Sequence, residues 1–561
     1  MTHLAAPVTT AEAVRRSLRD GDEIALIDLR EEAAYAAGHP LFAINLPLGR
    51  IEERVGALLP RRDVAIVVYD DGDDSRIRRA LPLLAALGYR RVSRLEGGLA
   101  GWRASGGEIF IDVNVPSKAF GELVEHVRHT PSIPATELRA RLDRGDDVVI
   151  LDARRFSEYA TMSIPGGRSV PGGELALRVR DLAPDPATTV VVNCAGRTRS
   201  IIGAQSLVNA AIPNPVFALR NGTIGWTLAG LELERGAERR AGDPSPASIA
   251  LAAARARDLA TRAGVRIVDA AGLAQLQRDP ARSLYLLDVR SPEEYARGHL
   301  QGFRSAPGGQ LVQATDEWVG VRGGTLVLTD DDGVRARMTG HWLRQLGWAE
   351  TYVLDDGSGL PRTEGPEPPV LAVPPPPVPQ ITPQELEDRP EALLIDLATS
   401  PEHRRGHIPG ARFAIRADLA THGDVASAAD IVLVSPDGIA AAFAAAELIT
   451  LGHPARILAG GTDAWRASGR TLATGLDPSR ALSAADDVYK RPYEGTDNAT
   501  AAMQAYLDWE FGLVAQLEAD GTHRFEVLGG EPAAASAPPG ASTGPISHSR
   551  LPTQAVASLS G

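Results

Sequence analysis

At 561 residues the chain exceeds the roughly 250 to 300 residues at which a single hydrophobic core stops growing, so several domains are expected. Lys+Arg 58 against Asp+Glu 71, a net charge of −13, argues against a nucleic-acid partner or an anionic membrane surface, so an anionic substrate would need a local positive pocket. Hydrophobic residues at 44% and charged residues at 23% exclude a fibre or a wholly disordered chain; with no basic-then-apolar start and no apolar run of about 18 residues, the expectation is a cytoplasmic protein with no membrane partner.

Copy one of an internal repeat, residues 5–110, sets the pattern. A strand ends at Asp28 in ALIDLREEAAYAAGH, a helical segment and a Gly38-His39 turn follow, and a second strand, AIVVY, runs into a small loop and a helix. Gly98 precedes Trp102 in its last element. Copy two, residues 115–238, repeats this around Asp152 in VILDARRFSEYATMS, with Met162-Ser163 in place of Gly-His, and around TVVVN and Gly222 to Trp226. An Ala/Arg-rich helical connector, about Pro246 to Arg262, opens copy three, residues 246–362, with Asp288 and TLVLT but no final Trp. The Pro-rich stretch 366–379 reads as a semi-rigid spacer before copy four, residues 380–472, with Asp396, IVLVS and Gly461 to Trp465.

Beyond the repeats, 480–528 reads as a helical docking segment, with apolar positions at helical spacing from Thr500 to Ala519. Its mixed aromatic and basic stretch, Asp487 to Tyr493, reads as a docking element that could also cover the copy-two pocket. Residues 530–561, rich in Ala, Ser, Pro and Gly, are expected to be disordered. The four Asp residues are spaced by roughly 110 to 140 residues, one domain per copy. Strands alternating with helices, in runs apolar throughout, predict an α/β fold of four tandem domains, each a mostly parallel sheet with helices on both faces.

Chemistry concentrates in one loop. In copy two the strand ending at Asn193 opens into Cys194-Ala195-Gly196-Arg197-Thr198-Arg199-Ser200 and a helix, so the only cysteine sits at a strand end beside a helix N-terminus, where anions bind. Arg197 and Arg199, with the helix end, are expected to lower the Cys194 thiol towards a thiolate at neutral pH. Gly196 is expected to let the loop turn so that its N–H groups form a nest, with Thr198 and Ser200 adding hydroxyls. At the equivalent loop position copies one and three carry Asp70 and Asp330, and Pro436 aligns best in copy four, where Ala398 also replaces the arginine two residues after the Asp.

These residues resemble the rhodanese superfamily, whose domains carry Asp-x-Arg, a Gly-His turn and a cysteine opening a six-residue loop. The resemblance spans about residues 5 to 470. It implies a sulfurtransferase in which Cys194 takes sulfane sulfur from a small anionic donor, such as thiosulfate or a thiol persulfide, and passes it to a thiol or cyanide. It makes Arg154 the structural Asp-x-Arg arginine, with Arg155 a candidate substrate clamp beside the loop residues Ala195, Gly196, Arg197, Thr198 and Arg199. Glu158 is expected to pair with Arg154 or Arg155, and Ser200 to support the loop.

No P-loop, dinucleotide fingerprint or zinc spacing occurs, so no cofactor or metal is expected, and His39, His299 and His407 read as turn residues. Trp102, Trp226 and Trp465 read as core. The alternatives are a persulfide relay to a protein acceptor, a binding or regulatory scaffold, and a cysteine phosphatase or arsenate reductase. The last is disfavoured by Asn193 before the cysteine and Ser200 in the arginine position. Donor identity and a homodimer stay open.

Overall fold

The computed structural model describes residues 7–529. The predicted tail, 530–561, lies outside them.

Each copy builds a five-stranded sheet in the same order, with the strand pairings in these sheets parallel. In copy two the order is Ser132–Ile133, Val216–Leu219, Thr189–Asn193, Val148–Asp152, Arg168–Ser169. Its central strands are β-branched and apolar because helices cover both faces; Val190, Val191 and Val192 are fully buried. Copy three adds a short antiparallel pair, His299–Leu300 with Arg362–Thr363.

The sheet register fixes the loops. Asp28, Asp152, Asp288 and Asp396 pair with Tyr69, Asn193, Thr329 and Val434, so the next residues, Asp70, Cys194, Asp330 and Ser435, occupy one position in four domains. Ser435, not Pro436, is therefore the counterpart of the cysteine. The strand of copy four ends at Val434, so Ser435 already lies in the loop.

In three copies an arginine two residues after the Asp closes on it. Arg154 lies 2.7 Å from Asp152 and 2.6 Å from the Met162 carbonyl, and Arg30 and Arg290 do the same with Asp28 and Asp288. In copy four, where Ala398 leaves a gap, His403 Nδ1 meets Asp396 at 2.8 Å. Trp102, Trp226 and Trp465 are buried, each donating its indole N–H to a carbonyl six residues on.

The domains pack out of chain order. First meets fourth through Gly49, 3.3 Å from Arg416 at its missing Cβ, and through the Arg416–Glu52 pair at 2.8 Å. Second meets third where Gly173 and Gly309 face each other, a Cβ on Gly309 coming within 2.8 Å of the Gly173 nitrogen and one on Gly173 within 3.0 Å of the Gly309 nitrogen. Residues 366–379 do not stand off as a spacer: Ala372 N–H bonds the Glu52 carbonyl and packs against Gly56 of the first domain. Past the fourth domain the chain crosses the others and ends in helices Thr500–Phe511 and Leu513–Asp520. Among the described residues no helix is long and apolar enough to cross a membrane.

Candidate active site

Cys194 directly follows the strand Thr189–Asn193, and the helix Thr198–Asn209 begins four residues later. Below the loop lies the helix Gly222–Leu228, whose first N–H groups, from Thr223 and Ile224, bond the carbonyls of Cys194 and Ala195 at 2.9 Å. Gly222, at φ 55°, sits directly under those carbonyls, where no Cβ would fit; Gly98 and Gly461 stand under Asp70 and Ser435 in the same way. With its carbonyls turned down into that helix, the loop presents N–H groups to the sulfur. The Ser200 hydroxyl donates to Cys194 Sγ at 3.0 Å, and its backbone N–H points at the same atom.

The same N–H, six residues on, is used in all four domains. It comes from Arg76 to Asp70 at 3.2 Å, from Ala336 to Asp330 at 2.8 Å and from Ala441 to Ser435 at 3.2 Å. The Asp carboxylates also accept a second loop N–H, from Gly72 and Gly333. In these domains an oxygen of the protein itself fills the anion nest, whereas in the second domain a polarisable sulfur occupies it.

The arginines behave differently from expectation. Arg197 turns away from the sulfur into an acidic wall on the helix Val115–Arg128, with bonds of 2.7 and 2.8 Å to Glu122, a bond to Glu125 and one of 3.2 Å to Asn221. Arg199 points the other way and grips Glu158 with two bonds of 2.8 Å. Glu158 thus pairs with neither Arg154 nor Arg155, because Arg154 is already saturated by Asp152 and the Met162 carbonyl. Burial alone would raise the Glu158 carboxyl, but Arg199, Arg154 and Arg155 outweigh it and hold the group at about 2. Arg155 reaches across to the third domain, 2.7 Å from Gln310, and lines a cleft of about 980 Å³ between the two domains. That places it at an interface and not on the loop.

Nor is the thiol lowered. Cys194 is 2% exposed, and burial pushes its thiol up; Arg199 and the Ser200 bonds oppose this, while Glu510 adds to it. The cover comes from outside the repeats. Gly196 keeps φ outside the left-handed region; its missing side chain instead makes room for Tyr506, whose ring lies 3.0 Å from the Cβ position, and for Glu510 at 3.4 Å. On the other flank Gly121 lets the helix Val115–Arg128 press on Thr198, 2.9 Å from the Cβ position. Lys118, buried and 2.7 Å from Asp112, pins the C-terminal helix by facing the rings of Tyr493, Tyr506 and Trp509 at 5.1 to 5.4 Å. Tyr493 borders a pocket of about 360 Å³ with Thr223 and Ile224 beside the loop. None of Glu122, Tyr506 and Glu510 was singled out from the sequence. Only the run of apolar positions in 500–519 hinted that this helix packs on something.

The rhodanese-like domain family model matches residues 10–105, 134–229, 269–358 and 382–468. A thiosulfate sulfurtransferase of Pseudomonas aeruginosa is 29% identical over 231 residues, which is 34% of this chain and 83% of that relative. One from Azotobacter vinelandii is 25% identical over 248 residues, 37% and 89% of the two chains. The crystal structure of a thiosulfate sulfurtransferase from Pseudomonas aeruginosa is 54% identical, covers 93% of this chain and 100% of that one, and superposes with a TM-score of 0.90. With four matched domains, the second of which opens its loop on Cys194, this chain belongs to the rhodanese family.

Proposed function

We propose that this rhodanese-family sulfurtransferase moves sulfane sulfur through a persulfide on Cys194, in the domain spanning 115–238, while the domains at 5–110, 246–362 and 380–472 serve as scaffold. The observation that carries the reading is the nest: four loops aim the same N–H at one position, and only in the second is the atom there a sulfur, which can carry a persulfide. The Cys194 thiolate attacks the outer sulfur of thiosulfate, a new S–S bond forms, and the donor's S–S bond breaks with its electron pair leaving on sulfite. Cyanide or a thiolate then attacks the terminal sulfur, and the pair returns to Sγ. Loop N–H groups stabilise the persulfide anion between the two steps. Arg199, held by Glu158 on the cysteine side, is the cation nearest to the departing sulfite in this reading.

Because burial pushes the thiol up, the first step needs its proton removed, so transfer rises with pH through the thiol's own titration. A lone thiol that must stay reduced to turn over supports a cytoplasmic setting.

Intact mass after incubation with thiosulfate tests the reading. The protein should gain one sulfur, about 32 Da, lose it to cyanide, and gain none as Cys194→Ser. A protein that stays unloaded with its cysteine reduced would overturn the persulfide mechanism.

A further inference from the structure

The group closest to the loop that the transfer chemistry leaves unused is Glu510. It is fully buried. Tyr506 donates to Oε1 at 2.7 Å and Thr198 at 3.5 Å, but Oε2 has no partner and lies 3.4 Å from the Cβ position of Gly196. A buried carboxyl is ordinarily matched by a cation, and here the neighbouring cations are committed elsewhere. Lys118 is bound to Asp112, and Arg197 to Glu122 and Glu125.

We infer that Glu510 is a specificity-determining residue of the Cys194 site: its carboxyl, carried in by the C-terminal helix, admits sulfur donors according to their charge. The inference rests on the sulfurtransferase reading of Cys194. Oε2 stands beside the loop whose N–H groups receive the anion, so an ionised Glu510 repels the donor, and a protonated one offers a hydrogen bond.

The groups that set its state are named by the packing. Burial raises the carboxyl first, and Glu122 on the helix Val115–Arg128 adds to it. Lys118 on that helix, Tyr506 on its own helix and Arg197 on the loop oppose them, leaving the group at about 8. Cys194, raised by burial and by Glu510, is the remaining titrating neighbour. Below that pH the site is permissive; above it a dianionic donor is penalised more than a monoanionic one.

The test compares loading rates of the full chain with thiosulfate, a dianion, and benzenethiosulfonate, a monoanion, from about pH 6.5 to about pH 9.5. Both donors react with the same thiol, so the titration of Cys194 cancels in their ratio. In the wild type the thiosulfate to benzenethiosulfonate ratio should fall by about tenfold, with its midpoint near pH 8. Glu510→Gln, neutral throughout, should give a flat ratio. Tyr506→Phe removes a hydrogen bond that favours the carboxylate and should move the midpoint to higher pH. A flat wild-type ratio, or an inflection that survives in Glu510→Gln, overturns the inference while leaving the sulfurtransferase reading intact. Should Glu510→Gln fail to fold, an unmoved midpoint in Tyr506→Phe overturns it equally. If the wild type loads sulfur from neither donor, the reading of Cys194 falls and this inference with it.

Discussion

The residue that opens the loop separates the Cys194 loop from those of the first and third domains. Asp70 and Asp330 place two oxygens where Cys194 places one sulfur, and each carboxylate takes loop N–H groups for itself. These loops are closed anion sites whose anion is covalently part of the chain. The carboxylate is therefore structural, and removing it strands two donors, at a cost of about 1–3 kcal/mol for each one left buried and unbonded. Asp70→Ala should lower the thermal midpoint of unfolding and leave sulfur loading at Cys194 unchanged. An unaltered midpoint would show that the loop finds other acceptors.

At the scale of elements, the loop is clamped between two helices, one from the start of its own domain and one from beyond the fourth. The helix Val115–Arg128 closes one flank through Gly121 and Glu122, and the helix Thr500–Phe511 closes the other through Tyr506 and Glu510. Together with Glu158 on the helix Phe156–Thr161 they explain why a cysteine flanked by two arginines carries a raised thiol: each arginine is drawn off by a carboxylate, and water is kept out. Trimming the cover should therefore expose the sulfur. Tyr506→Ala is expected to speed alkylation of Cys194 by iodoacetamide by about tenfold, followed by mass at fixed pH. A rate equal to that of the wild type would mean that access does not run past this helix.

In the whole molecule, four domains in one line of sequence pack out of order, the first against both third and fourth and the second against the third. One buried arginine helps to join second to third. Arg335 of the third domain bonds Glu174 of the second at 2.9 Å, and also Glu294, Asp331 and Asp332 of its own domain. Removing a buried charge that holds several carboxylates costs about 3–5 kcal/mol because those left behind have no partner. Arg335→Met should lower the thermal midpoint and increase proteolysis around Pro171 to Glu174 and Pro307 to Gln310. Intact resistance there would place the strength of the pair in its apolar contacts instead. The chain from Asp486 onward ties the rest together, with Asp487 accepting from Ser400 N–H, Arg491 on Glu32, Gln516 on Ile109 and Glu526 N–H on Gln345.

The sequence by itself determined what local pattern can encode. Strand runs ending in Asp, arginines two residues on, glycines before tryptophans and the lone cysteine are all periodic or adjacent in the chain, so the repeat, the parallel sheets and the loop at Cys194 were legible. Pro436 aligns with the cysteine by pattern, but Ser435 takes the position, because strand register is a property of pairing and not of the residue run. What only the tertiary structure decided concerns residues distant in the chain. Arg197 faces Glu122, Arg199 faces Glu158, Arg155 crosses to Gln310, and Tyr506 and Glu510 settle on Gly196 from more than three hundred residues away. Charge pairing and burial are set by which surfaces meet. That is why composition and motif located the lone cysteine, and packing alone settled its electrostatic environment.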